Sequence, residues 1–400
     1  MKYTIEQLAD IIDGDRGKNY PKQNEFLDKG YCLFLNTGNV TAEGFSFESN
    51  QFITEEKDRS LNKGKLQRGD IVYTTRGTVG NAAFYSNAVP YENIRINSGM
   101  VIFRCDDEVI NNSFLYQILK SAHYRHYFKS FCTGTAQPQL PIKNLKNITV
   151  NIPARIKQDR IANCLSAYDD LIENNQKKIK LLEEAAQRLY KEWFVDLRFP
   201  GYEDVQIVDG VPEGWKKTTI ENKCTLKKTI VHPEETQTGT AYIGLEHIPR
   251  HDFCLSNWGD ASEVSSNKYI YNQKDIIFGQ IRPYFHKVGF AINDGVASTD
   301  SFIMKPDERC WGLFLLTVSS DAFVQFAYQT CKEGAKMPRA DWRQMKEYPL
   351  LIPGASVLCR FETFVAEITD RIRTIVLQNR YLTEARNRLL PKLMSGEIEL

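Results

Sequence analysis

The chain carries one unit written twice. Gly134, Pro138, Lys146, Ile152 and Pro153 recur in the same order, without a gap, as Gly334, Pro338, Lys346, Ile352 and Pro353. The 200-residue register continues through Arg160/Arg360, Asp170/Asp370, Ile172/Ile372, Leu182/Leu382, Glu184/Glu384, Ala185/Ala385, Arg188/Arg388 and Leu189/Leu389. Upstream it drifts. Asp70-Ile71-Val72-Tyr73 faces Asp275-Ile276-Ile277-Phe278, and Thr4-Ile5-Glu6 faces Thr219-Ile220-Glu221. Self-similarity at this length constrains the fold before any local propensity does, because each copy must form the same supersecondary unit. The downstream parts match closely and the upstream parts only in outline. A shared scaffold therefore carries two separately specialised globular domains.

Turn-rich segments set the boundaries. Phe199-Pro200-Gly201-Tyr202 and Gly210-Val211-Pro212-Glu213-Gly214-Trp215 break the preceding helix and form the joint. The reading is a first globular domain over 1–153, a long helix over 154–196, a linker over 197–211, a second globular domain over 212–353, and a C-terminal helix and tail over 354–400. Asp70–Thr74 and Asp275–Phe278 read as short buried strands, Ser113–Lys129 and Leu313–Thr330 as helices with apolar faces. The fold class expected is α+β: two mixed α/β domains separated by two long helices, with an internal pseudo-twofold repeat.

After each Ile-Pro pair a heptad pattern begins. The first copy gives Ile161, Leu165, Tyr168, Ile172, Asn175, Ile179, Leu182, Ala186, Leu189 and Trp193. The second gives Phe361, Val365, Ile368, Ile372, Ile375, Asn379, Leu382, Arg386, Leu389 and Leu393. Steps of four and three sustained over more than four heptads predict a coiled coil. Each seam holds one Asn, at positions of opposite heptad class. If Asn175 and Asn379 meet, Ile161 faces Leu393 and Trp193 faces Phe361, so the seams overlap end to end in an antiparallel pair. A buried Asn is costly when unpaired, so meeting its counterpart fixes register. Thirty-three residues of such helix span ~50 Å. Antiparallel pairing would place the globular domains at opposite ends of a ruler, suited to duplex DNA whose major groove repeats every ~34 Å.

Composition excludes several classes. No apolar run reaches the ~18 residues of a membrane helix, and Met1-Lys2-Tyr3-Thr4-Ile5-Glu6-Gln7 lacks a signal-peptide core. The expected location is cytoplasmic. Nine cysteines, widely spaced and without a CxxC, suggest reduced and mostly buried thiols. His247 and His251 lie four apart, but Pro249 spoils the helical face a metal would need, so no metal site is expected. Net charge is only +1. Yet Val109 to Gln158 contains no Asp or Glu while holding Lys120, Arg125, Lys129, Lys143, Lys146, Arg155 and Lys157. That distribution fits a phosphate-facing surface as well as a solvated one.

Signatures of catalysis are missing. There is no phosphate loop (Gly14–Lys18 has the wrong spacing), no glycine-rich nucleotide loop, no Asn/Asp-Pro-Pro-Tyr/Phe tetrad and no hydrolase elbow. A binding role is the better reading. Variable domains alternating with near-repeated helices, Pro-Glu-Gly-Trp (212–215) opening the second domain, and Gly-Thr-Ala-Gln (134–137) before the first Ile-Pro junction resemble the specificity subunit of type I restriction-modification systems. The second copy departs, reading Gly334-Ala335-Lys336-Met337. The resemblance implies a non-catalytic chain whose two target-recognition domains each read half of an asymmetric bipartite double-stranded DNA site. It further implies helices that dock two methyltransferase subunits and set the half-site spacing, and restriction subunits joining that core. S-adenosylmethionine would then belong to the methyltransferase, ATP and Mg to the restriction subunit, and no cofactor to this chain. Three other readings stay open: a specificity subunit of a related DNA methyltransferase without restriction, a coiled-coil scaffold with protein-binding domains, and an enzyme built from unfamiliar residues.

Base readout needs Arg or Lys for guanine and Asn or Gln for adenine, on exposed loops. The candidates fall at equivalent places. In the first domain Thr75, Arg76 and Thr78 follow a buried strand, and Gln137 and Gln139 lie on a Gly/Pro loop. In the second, Gln280, Arg282, Tyr284, His286 and Lys287 follow the matching strand, and Lys336 and Arg339 occupy the matching loop. Lys120, Arg125 and Lys129, about a helical turn apart, are candidates for phosphate contact.

Overall fold

The computed structural model describes residues 1–134, 137–332 and 334–400. The chain falls into two compact units, Met1–Ile172 with Tyr381–Leu400, and Glu173–Arg380. These bounds differ from those read in the sequence, which cut at the helix ends. The reason is packing: each unit draws part of both long helices into its own core. In the first unit Ile161, Leu165, Leu390 and Leu393 join the cluster of Ile5, Phe103 and Phe114. In the second, Trp193, Phe194, Phe361 and Val365 join that of Phe278 and Phe314.

The first unit holds a four-stranded antiparallel sheet in the order Ala9–Asp13, Met100–Cys105, Ile71–Thr74, Ala82–Phe84, and a three-stranded sheet of Phe52–Ile53, Cys32–Leu35 and Ile94–Ile96. The second unit repeats the first sheet's order as Cys224–Lys227, Ser301–Pro306, Ile276–Gly279 and Val288–Ala291, and adds Cys254–Leu255 at the edge. Its other sheet has five strands. Ile71–Thr74 and Ile276–Gly279 are buried throughout, as strands inside the sheet and covered on both faces must be. Each globular domain is closed by pairing its first strand with the one before the Ile-Pro junction: Lys2–Thr4 with Thr149–Asn151, and Lys216–Thr219 with Pro349–Ile352. The same closure carries an ion pair in both copies, Lys146 to Glu6 at 2.6 Å and Lys346 to Glu221 at 2.6 Å. Both pairs join residues that the repeat matches.

The helices expected over Ser113–Lys129 and Leu313–Thr330 are each broken in two. They run Asn112–Lys120 then Ala122–Lys129, and Trp311–Val318 then Asp321–Gln329. The breaks fall at serines that cap the following helix. Ser121 Oγ accepts from the Tyr124 amide and Ser320 Oγ from the Phe323 amide.

The long helices cover Arg155–Tyr190, 36 residues, and Ala355–Ser395, 41 residues; a π-helical turn at Lys191–Val195 ends the first. No position of either heptad seam is exposed. Within the second unit Asn175 Nδ2 donates to Asn379 Oδ1 at 2.8 Å, and the Trp193 and Phe361 rings lie 5.7 Å apart. These contacts run in opposite order along the two helices. All nine cysteines are free: four are buried, four half-buried, and Cys359 is exposed. Among the described residues no single helix is long and apolar enough to cross a membrane.

Candidate nucleic-acid interface

Two loops meet in each globular domain, and the same backbone hydrogen bonds join them. In the first, the Thr75 amide donates to Gly99 O at 2.9 Å and the Leu140 amide to Thr75 O at 2.9 Å. In the second, the Gln280 amide donates to Asp300 O at 2.9 Å and the Ala340 amide to Gln280 O at 3.0 Å. A further bond, from the Arg282 amide to Pro338 O at 2.8 Å, and a bridge between Ile281 and Arg339 tighten the second pair. The strand-end loop and the Gly/Pro loop thus sit side by side in both copies, although roughly 60 residues separate them in sequence. The fold brings together Arg76, Thr78 and Gln139 in one domain, and Gln280, Arg282, Lys336 and Arg339 in the other.

Exposure then sorts the candidates. Arg76, Thr78, Lys129, Gln137, Gln139, Tyr284, Lys336 and Arg339 are exposed. Arg76 takes part in no ion pair among the described residues, whereas Arg339 pairs with Asp300 at 2.8 Å. Gly99 occupies the place of Asp300 in the first copy, so no carboxylate can stand there. Gln280 and Arg282 are half-buried. Arg282 has left-handed backbone (φ 51°), and its Nε is buried without a hydrogen-bond partner. Arg125 is half-buried with a similarly unpartnered Nε, its stem lying against Gly80 beyond the Arg76 turn. Thr135 and Ala136 of the Gly-Thr-Ala-Gln segment lie outside the described residues.

Four candidates are corrected. Thr75 is buried and its hydroxyl donates to Gly99 O at 3.1 Å, so it braces the loop from within. Lys120 pairs with Asp169 at 3.1 Å, its side chain 9% exposed. Burial lowers its pKa, and the same burial acts on Asp169, but Lys120 and Arg386 outweigh it and hold that carboxyl below the usual range. Lys287 is turned inward, donating its ammonium to Leu245 O. His286 is buried, its Nε2 bonded to Ser319 O at 2.8 Å, and burial lowers its pKa. The basic stretch is correspondingly less free than its composition suggested. Lys120, Lys146 and Arg155 are paired with acids from outside it, Asp169, Glu6 and Asp159.

Residues the sequence did not single out also border the first site. Thr37 and Gly38, in a turn capped by Asn36, lie beside the loop: a Cβ added at Gly99 would sit 2.7 Å from Thr37 Cγ2, and one at Gly77 3.8 Å from its hydroxyl. Their Asn-Thr-Gly-Asn run is a turn signal, but nothing in it indicates which loop it will join.

Residues 1–184 match the model of the type I restriction modification DNA specificity domain. The chain is 24% identical over 366 residues to the type I restriction enzyme MjaIX specificity subunit of Methanocaldococcus jannaschii, covering 87% of this chain and 82% of that one. It is 22% identical to the HindI specificity subunit of Haemophilus influenzae, covering 96% and 98%. Among solved structures, the S subunit of a type I restriction-modification system from M. genitalium shares the fold with a TM-score of 0.55 at 15% identity, covering 98% of this chain and 95% of that one.

Proposed function

We propose that the chain acts as a specificity subunit of a type I restriction-modification system, like the relatives it resembles, and that its two globular domains each read one half of an asymmetric, bipartite duplex DNA target. The single observation that carries this is the loop pair built on the same backbone hydrogen bonds in both copies, with different side chains on each. A shared cradle with exchanged readers is what two different half-sites require. Arg76 with Gln137 and Gln139 supplies guanine and adenine donors in the first domain; Gln280, Arg282, Lys336 and Arg339 supply them in the second. Lys129 and Arg125 would contact phosphate.

The chain is not itself a catalyst. The adenine methylation would come from two methyltransferase subunits docked on the long helices, with S-adenosylmethionine bound there. Restriction subunits would bring ATP and Mg. The two helices, paired as one antiparallel coiled coil, would set the separation of the half-sites, and the assembly would work in the cytoplasm. The test is selection of a duplex library by the assembled methyltransferase complex at several salt concentrations. The expected product is a split motif with a fixed non-specific gap; enrichment of a single unbroken motif, or of none, would refute the reading.

A further inference from the structure

Three ligand-bearing side chains converge at the back of the second domain's reading loop. The His286 ring nitrogen Nε2 lies 2.8 Å from Ser319 O. A carbonyl oxygen only accepts, so Nε2 carries the hydrogen and the neutral ring presents its lone pair at Nδ1. That Nδ1 faces Asp321 Oδ1 at 3.2 Å. The His251 ring stands 4.5 Å from the His286 ring, centroid to centroid, and one ligand atom from each of the three residues lies within 4.8 Å of the others. His251 and His286 both have left-handed backbone, φ 66° and 53°, which residues other than glycine seldom adopt. The His251 amide donates to His286 O at 3.2 Å, tying the two turns to each other.

We propose that His251, His286 and Asp321 form a binding site for a divalent transition-metal ion, Zn2+ being the best fit. Two imidazoles and one carboxylate are a borderline donor set that suits Zn2+ and leaves a fourth position for water. With bonds of ~2.0–2.1 Å, a tetrahedral site needs ligand atoms ~3.3–3.4 Å apart. The His286–Asp321 edge already has that length. The remaining closure falls to His251, which is exposed and can turn. Ser319 O supplies the outer hydrogen bond that metal-bound imidazoles usually make. The sequence reading expected no metal site, because Pro249 breaks the spacing of His247 and His251; the second histidine of this cluster lies 35 positions beyond His251, on the turn after the strand Ile276–Gly279.

Such an ion would fasten the turn around Pro283–Phe285 to the start of the helix Asp321–Gln329. Its consequence for DNA rests on reading that loop as a DNA-facing element; its existence does not. The test is Co2+ binding by the full-length protein, followed by the visible absorption of the four-coordinate ion and by metal content after dialysis. One equivalent is expected, displaced by Zn2+, with affinity falling at least about tenfold in each of His251→Ala and Asp321→Asn. Both are exposed positions, so folding is not at stake. His232→Ala serves as the control and should bind as wild type. Absence of a saturable Co2+ signal, or equal binding by all four proteins, would overturn the site and leave only a close His286–Asp321 contact. Because no DNA enters this measurement, its failure would not touch the proposed function, nor would failure of that function touch the metal.

Discussion

Arg76 and Arg282 hold equivalent places, one exposed and in no ion pair among the described residues, the other half-buried over the Phe285 ring at 5.9 Å. Arg76→Ala and Arg282→Ala should each weaken specific binding by about 1–3 kcal/mol and relax selectivity in one half of the target only, the first and second halves respectively. Competition binding against duplexes mutated in either half checks this, and equal relaxation of both halves would contradict it. Asp300 tethers Arg339, so Asp300→Asn should release a cation. The salt dependence of binding should then steepen by about one phosphate contact; an unchanged slope in salt titrations would show that Arg339 does not face DNA. Which residue types a reader needs was legible in the sequence; which way they face was not. Thr75 follows a buried strand and turns inward, and Lys120 meets Asp169, an acid outside its own basic window and 49 positions away in sequence. Local spacing carries no information on such long-range partners.

The long helices bear the clearest titration. Glu183 of the first helix accepts hydrogen bonds from the Phe253 and Cys254 amides, and burial, with Asp252 adding to it, pushes its pKa from 4.5 to about 8. The folded state therefore holds a proton that the unfolded chain releases earlier. This stabilisation is complete below about pH 4.5 and declines as pH rises to about 8. Glu183→Gln should raise the melting temperature relative to wild type at pH 8 and much less at pH 5, a difference of a few kcal/mol at ~1.4 kcal/mol per unit. The same offset at both pH values would contradict the assignment. Asn175 and Asn379 should couple by about 0.5–3 kcal/mol in a double-mutant cycle with leucine, read from denaturant midpoints; additive effects would deny the contact. Heptad spacing made these helices and both asparagines visible, because a 3.5-residue apolar period held over ten positions is a helical signal that neither strands nor loops produce. The serine breaks at Ser121 and Ser320 stayed hidden, since a serine caps or merely decorates a helix according to tertiary context.

At the scale of the whole molecule, the repeat conveyed most of the architecture. The residues that close each domain recur in both copies, Lys146 with Glu6 and Lys346 with Glu221, although the loops between them differ in length. The drifting segments contain the strand-end loops of Arg76 and Arg282 and sheets of unequal size, three strands against five, which no alignment of the two copies could equate. The His251, His286 and Asp321 cluster belongs to that divergent part, and among the described residues it has no counterpart in the first domain. Two unequal domains on a matched frame would read two different half-sites, and one measurement tests this most directly. It is methylome sequencing of cells expressing the chain with its methyltransferase, before and after residues 212–353 are replaced by the matching domain of a relative. The expected result is a split, adenine-methylated motif in which the exchange alters one half and preserves the other half. A motif changed in both halves, or in neither, would contradict it.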